Sequence, residues 1–558
     1  MTTQSIPSTS TTPSARRWPA IIAGCLLLLP GAICCGTTLL APSVQTVLLS
    51  MQKANGLGPA SYVGAANFAS LAGLRPLSQA VSFTVTLAVE RLLAVLIVPA
   101  LLALAAAALN GWARGGLRLL FTLPLALFAP TGLVAAWLIA RAPGSSPLGS
   151  VAGAQGTLLS IDGALTLGLA CGVGLITYLA ALRPRADGSA GWAAVRWPLL
   201  LTWFISGLAA LATGLQVFAL PYLLTRGGPA AATTTLTLLQ YQLAFVNFQF
   251  GQAAAVAVLN LAALGLLGLL AGLLLVLSGA RLELAPAGRS SNPLMPVILA
   301  VAVVVVLGLA AFVIWASGQA PLFQTAGLAH SGQAQTNSAN PAGNSLIGPL
   351  SVLLLQLPLA YLAALGISAL RPLGRWSEWL LLPFSPWLFV TVGPLSVAEF
   401  TSLRQAGQLN TMARLAPPLL LSVPMLFVLA LFFRSRYARW QSARASGQSA
   451  LGAFMRQVVA PSIPLAVLVG VVGMLVNNQE LLWPLLVASK PELYTGNVAL
   501  ALQMAQLSAR RAVLASGVMS AVLPGALLGL VALGVLQVAY VGRLALRTGQ
   551  EPEPKPGA

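Results

Sequence analysis

The chain has 558 residues, of which 58% are hydrophobic and only 7% charged, and its mean hydropathy is +0.87. A soluble domain carries about 25% charged residues, so lipid rather than water must be the solvent for most of this chain. The formal net charge of +19 is strung along short segments between apolar runs with no clustered footprint, which argues against a nucleic-acid partner and for the Lys and Arg loop signals that orient membrane helices.

A helix needs about 20 apolar residues to cross the hydrocarbon core. Such runs predict helices near 19–40, 79–109, 117–140, 160–182, 198–222 and 251–279, then near 295–317, 346–370, 377–398, 411–433, 462–487 and 512–542. The expected fold is therefore all-α, a polytopic membrane protein of about twelve transmembrane helices. The first run follows Arg16 and Arg17 as a signal peptide would, but it extends to Leu40 without a small-x-small cleavage site, so a retained helix is expected. The run 377–398 contains Pro383, Pro386 and Pro394; a broken helix of this kind is tolerated only against protein or a cavity. Cys25, Cys34, Cys35 and Cys171 all lie in apolar runs without zinc or disulfide spacing, and read as small buried hydrophobes.

With the N-terminus inside, the inward loops carry Arg16, Arg17, Arg114, Arg118, Arg183, Arg185, Arg196, Arg281, Arg371, Arg375, Arg434, Arg436, Arg543 and others. The outward loops carry Lys53, Arg75, Arg141, Arg226, Arg404, Arg414, Lys490, Arg510 and Arg511. The bias is about two to one and places both termini in the cytoplasm. The chain divides into a cytoplasmic tail (1–18), a first transmembrane unit (19–282), a linker (283–294) containing Pro286, Gly288 and Ser290, a second unit (295–547) and a disordered tail (548–558). The polar stretch from Gly318 to Asn344 reads as an outward loop.

Between 216 and 258 an ordered set of residues stands out. Gln216 and Phe218 come first, then Thr225, Gly227, Gly228 and Pro229, then a threonine run, Tyr241, Ala244 and Phe245, and finally Phe250 and Gly251 before three alanines. Gly227-Gly228-Pro229 makes a tight non-helical turn, and Ala253 to Ala255 offer a small-residue face for close helix packing. The set resembles the fifth-to-sixth helix region of carbohydrate-type (maltose/glycerol-3-phosphate-like) ABC importer permeases. Tyr62-Val63-Gly64 and Asn67-Phe68 resemble the element after that family's first helix. Asn344-Ser345 resembles the opening of its core, and Gln479-Glu480 with Trp483-Pro484, then Glu492 to Thr495, resemble segments late in its partner subunit. The resemblance covers most of the chain and implies two type I importer permease units fused end to end.

The resemblance further implies that each unit meets an ATPase subunit through a cytoplasmic loop whose pattern runs EAA, then DG, then Pro. The first loop keeps Ala186, Asp187, Gly188, Trp192 and Pro198 but lacks the segment that would carry the Glu. The second has Gln441, Ser442 and Ala443 in place of EAA, keeps Gly447 and Phe454, and has Ser446 where Asp is usual. An extracytoplasmic solute-binding protein is the other implied partner, and the bacterial cytoplasmic membrane the implied location.

Gln216, Asn247, Gln249, Gln356, Gln479 and Glu480 are candidates for a solute path, because midplane sites use few polar groups. Each could equally tie helices together, at about 0.6 kcal/mol per hydrogen bond; Glu480 could also be merely solvated near a helix end. Glu90 and Arg91 lie midway along the second run, where charges are costly and suggest function; the plainer reading is a paired or water-facing couple that supports packing. No GxxxxGK[ST] occurs, so ATP hydrolysis falls to a separate subunit. His330 stands alone, and neither a metal site, a cofactor nor a catalytic residue is expected. The scarcity of outward acids weakens a membrane glycosyltransferase. The expected function is thus a permease for a sugar or similar polar solute. An ion-coupled secondary transporter using Glu90 remains open, as does a membrane enzyme or scaffold with degenerate coupling loops.

Overall fold

The computed structural model describes residues 18–55, 60–109, 111–140, 147–188, 191–285, 340–505, 526 and 529–549. These form an almost wholly helical molecule. In chain order the helices are α1 (Ile21–Ser50), α2 (Arg75–Ala108), α3 (Gly111–Ala126), α4 (Pro130–Ile139), α5 (Val151–Ala186), α6 (Trp192–Leu224), α7 (Leu236–Val246) and α8 (Phe250–Leu277). After them come α9 (Pro341–Ala369), α10 (Gly374–Trp387), α11 (Val392–Gln405), α12 (Val423–Arg434), α13 (Tyr437–Ala445), α14 (Ala450–Asn478), α15 (Leu482–Val487), α16 (Gly496–Ala505) and α17 (Gly529–Arg543). Seven of these, α1, α2, α5, α6, α8, α9 and α14, are long and apolar enough to cross a membrane, and up to nine spans result if the bent pairs α3–α4 and α10–α11 each count as one. The chain is a multi-pass membrane protein. The expected helix at 295–317 and most of the polar stretch 318–344 lie outside the described residues, as does the first part of 512–542.

Side-chain exposure agrees with lipid as solvent. On α2, Val81, Val85, Val89, Leu93, Ile97 and Leu101 are all exposed, and their spacing of four puts them in one stripe. An apolar stripe of that length is uncommon on a water-facing surface.

Proline decides where helices break. The expected helix 117–140 is bent by 78° between α3 and α4, because Pro130 removes a backbone donor and restricts the residue before it. The run 377–398 is broken as its prolines imply: α10 is a 3₁₀ helix containing Pro383 and Pro386, and α11 leaves it at 74°. By contrast α1 runs past its expected end at 40 to Ser50, despite Pro30 and Pro42, through a π-helical stretch at Gly36–Leu40. Hydroxyls satisfy carbonyls there: Thr38 donates to Cys34 O at 2.8 Å and Ser43 to Leu39 O at 2.6 Å, the device that lets irregular backbone persist in lipid. The expected helix 462–487 divides at 479–481 into α14 and α15.

Packing interlocks the two halves. α1 lies against α9, where Gly24 faces the Gly366 carbonyl and Gly31 faces Ala363. α8 lies between α1 and α10, with Gly268 and Gly272 against Ser385. Small residues at both crossings let backbones approach, the main source of helix attraction in lipid. One buried cluster accordingly runs from Cys35 through Leu264, Ile367 and Phe433 to Leu544.

The two ends of the bundle differ in charge. Arg114, Arg118, Arg183, Arg281, Arg371, Arg434, Arg436 and Arg543 gather at one end. There β3 (Arg281–Leu284) pairs antiparallel with β4 (Leu544–Arg547). At the opposite end β1 (Gln52–Lys53) pairs with β2 (Ser61–Tyr62), and the Asn67 amide clamps that hairpin by donating to Ser50 O at 2.8 Å and Gln52 O at 2.9 Å. Residues 283 and 284, expected to begin a linker, are therefore strand. The tail begins anchored too, since Gly549 N donates to Ser278 O at 2.9 Å.

Candidate functional site

The Gly227-Gly228-Pro229 turn is built by the threonine run that follows it. Gly227 has φ +90, a conformation that favours glycine. Thr233 Oγ1 donates to Gly228 O at 2.8 Å, and Thr234 Oγ1 to Gly227 O at 3.3 Å. Thr235 Oγ1 donates to Val217 O at 2.7 Å and accepts from Leu238 N, capping α7. All three threonines are buried. The turn folds the last piece of α6 (Ala219–Leu224) back against α7 as a hairpin of short helices.

The second half repeats the arrangement. α14 stops at Asn478, α15 and α16 form a second hairpin of short helices, and α17 follows. Glu480 starts α15 by accepting from Leu482 N at 3.1 Å and Trp483 N at 3.4 Å. The two hairpins meet in one apolar seam of Phe218 and Leu238 from the first half against Leu481, Leu482, Val498 and Ala501 from the second. A ring ladder flanks it, with Phe218 stacked on Tyr222 at 5.0 Å and Tyr241 at 5.4 Å from both.

The six polar candidates divide around this seam. Gln216 ties the halves together: its Nε2 donates to Phe389 O at 2.8 Å, and its Oε1 accepts from Thr391 N and Oγ1. Gln479 and Glu480 sit across the seam at the α14–α15 break. Glu480 borders a cavity of about 20 Å³ lined also by Asn344, Ser345, Asn477, Asn478 and Thr495. That is room for about one water, and no sugar fits. Gln356 donates to Leu419 O at 2.8 Å on a separate part of α9. Asn247 and Gln249 are exposed beyond α7. A larger crevice, of about 610 Å³ between α4 and α5, is lined by Leu133, Trp137 and Ile161 among others and touches none of the six.

The two expected coupling loops lie at the arginine-rich end and differ in form. In the first, α5 continues through Ala186, and Asp187 closes it by accepting from Arg183 Nε at 3.0 Å and Arg114 Nη1 at 3.4 Å. Gly188 turns with φ +69. Trp192 opens α6 beneath the Arg185 guanidinium, 4.0 Å from its ring, and Pro198 is buried. The second loop contains its own helix, α13, which carries Gln441, Ser442 and Ala443, and it turns at Gly447 with φ +86. Trp440 closes that turn: it packs edge-on to Phe454 at 5.2 Å and donates to Ala450 O at 3.3 Å. Burial pulls the neighbouring Arg436 guanidinium down to about 10, with Arg439 adding to the effect.

Within the bundle, Arg91 pairs with Asp162 rather than with Glu90. Its Nε and Nη2 reach the two carboxylate oxygens at 2.7 and 2.6 Å, and Asp162 is fully buried. Glu90 packs against Gly163, and its Oε2 is buried without a hydrogen-bond partner among the described residues. Asp162 is a residue that sequence reasoning missed; an acid inside a 36-residue apolar helix was the available signal. Glu378 was missed too, and it bridges Arg371 and Arg434. So was Gln240, whose amide crosses between halves to Gly393 O at 2.8 Å and Ser396 Oγ at 3.0 Å. Among the described residues no group of His, Cys, Asp or Glu could hold a metal ion. No protein-family model matches the chain, and no curated protein matches it significantly.

Proposed function

We propose that the chain is a fused pair of ABC importer permease units that moves a sugar or similar polar solute across the bacterial cytoplasmic membrane, with both termini inside. Separate ATPase subunits dock on the loops at 183–198 and 434–461, and an extracytoplasmic binding protein delivers solute at the opposite end. The observation that carries this reading is the repeat. Each half ends in a long helix, a hairpin of two short helices and a last helix, and the two hairpins abut across one seam. Two equivalent elements meeting at a seam is what alternating access between two like halves requires. The seam is apolar and its neighbouring cavity holds about one water, so the conformation is closed there. Solute passage then requires the halves to part along Phe218, Leu238, Leu482 and Val498.

The test is recovery of partners. Tagged protein solubilised from its native cell should bring down an ATPase subunit, and uptake in vesicles should follow internal ATP. Recovery of no ATPase would sink the proposal. A second reading, ion-coupled transport, draws on the unpartnered Glu90 Oε2. Loss of ion-driven uptake in Glu90→Gln, with no dependence on ATP, would favour it instead.

A further inference from the structure

We propose that Arg118, Arg183 and Arg543, with Arg436 behind them, hold the phosphate of an anionic phospholipid headgroup at the arginine-rich end. Three elements converge there: α3 supplies Arg118, the end of α5 supplies Arg183, and the junction of α17 with β4 supplies Arg543. The Arg118 guanidinium lies beside Gly542, where a Cβ would sit 2.8 Å from Nη2 and 3.1 Å from Nη1. A side chain there would displace the guanidinium from its present place. Arg183 and Arg543 lie within electrostatic reach of each other, as do Arg118 and Arg183, and Arg436 and Arg543.

Acids do not balance this cluster. Among the described residues, Asp187 is the acid facing Arg118 and Arg183, and it already accepts from Arg114 and Arg183. Glu283 is the acid facing Arg436, and it already bridges Arg281 and Arg547. Donors are left over. Arg118 Nε, Arg543 Nε and Arg183 Nη1 are buried without a hydrogen-bond partner, and so are both Nε and Nη2 of Arg436, a side chain only 3% exposed. Burying a guanidinium donor without an acceptor is unfavourable, and several such donors on neighbouring side chains call for a polyvalent anion. A phosphate, with several acceptor oxygens, suits forked guanidinium donors better than a carboxylate or chloride does.

Position argues for a lipid as the source of that phosphate. Trp112, Trp192 and Trp197 are all exposed at this end, and exposed tryptophans mark the level of lipid headgroups. Basic pockets between membrane helices at that level take anionic headgroups. The seat includes the β3–β4 pairing, so a headgroup bound there would touch the point where the two halves are joined.

The experiment is native mass spectrometry of the delipidated full chain titrated with phosphatidylglycerol, phosphatidylcholine or inorganic phosphate, with thermal unfolding in parallel. The expected result is one tightly held phosphatidylglycerol, preferred at least tenfold over phosphatidylcholine and raising Tm. Arg118→Gln with Arg543→Gln should erase the preference, and Gly542→Ala should weaken it, while Arg75→Gln at the opposite end should leave it intact. Equal retention of both lipids by the unmodified protein overturns the proposal without reliance on any variant. So does a preference that survives in the double variant. Protection by millimolar inorganic phosphate with no lipid preference would move the site to a soluble phosphate and overturn the lipid assignment.

Discussion

Arg91 and Asp162 show how residue-scale chemistry shapes this protein. A charge at bundle depth is costly and must find a partner, and Arg91 finds one on α5, in a two-point geometry that satisfies both carboxylate oxygens. Removing one member leaves the other buried and uncompensated, which costs about 3–5 kcal/mol, whereas replacing both by apolar residues is often near neutral. Asp162→Asn should therefore lower the thermal unfolding temperature in detergent markedly, and Arg91→Leu combined with Asp162→Leu should restore most of the loss. An unchanged Tm for Asp162→Asn would show that the pair does not support the fold. Gln216 makes the same point with neutral groups: read as either a solute contact or a tie between helices, it ties the first half to Phe389 and Thr391 of the second.

Among the elements, helix crossings depend on where glycine falls, and neighbouring glycines on α8 differ sharply. A Cβ at Gly268 would collide with the Ser385 carbonyl, while one at Gly265 would rest at an ordinary 3.9 Å from the Pro386 carbonyl. Gly268→Ala must push α8 from α10, at about 1–3 kcal/mol. Gly265→Ala should stabilise by about 0.5–1 kcal/mol, since alanine loses less conformational freedom in a helix. Chemical unfolding of the two variants side by side checks the contrast, and equal effects would mean that α8 and α10 are not in close contact. Proline placed its breaks legibly: Pro383 and Pro386 announced the α10 irregularity in the sequence. α1 passes Pro30 and Pro42 without ending, and the hydroxyls of Thr38 and Ser43 bond backbone carbonyls along its π-helical stretch.

At the scale of the whole molecule the two halves are interlocked. α1 packs on α9, Gln240 reaches Ser396, and β3 pairs with β4, so the covalent link between halves is not what keeps them together. Residues 1–285 and 286–558 expressed as two separate chains should copurify as one complex in detergent and co-migrate on size exclusion. Recovery of either piece alone would contradict the interlock.

Composition and periodicity by themselves determined that the chain lives in lipid and that it is helical, but not which segments span. Of the twelve expected helices, seven described ones are long and apolar enough to cross, or up to nine with the bent pairs, and the run expected at 411–433 is α-helical only over Val423–Arg434. Composition and periodicity also gave a basic excess of about two to one for one side over the other, because hydropathy and charge are local properties and every residue carries its own share. The motif around Gly227 was legible for a related reason: Thr233 to Thr235 complete that turn from a few residues away. Pairing was not legible. That Arg91 takes Asp162, 71 residues on, rather than adjacent Glu90, that Gln216 fastens two halves, that residues 281–284 form a strand with 544–547, and that four arginines share one place depend on which helices are neighbours. Neighbourhood in a bundle is set by small-residue crossings and by buried donors seeking acceptors, and both are properties of pairs of distant segments that only the tertiary structure brings together.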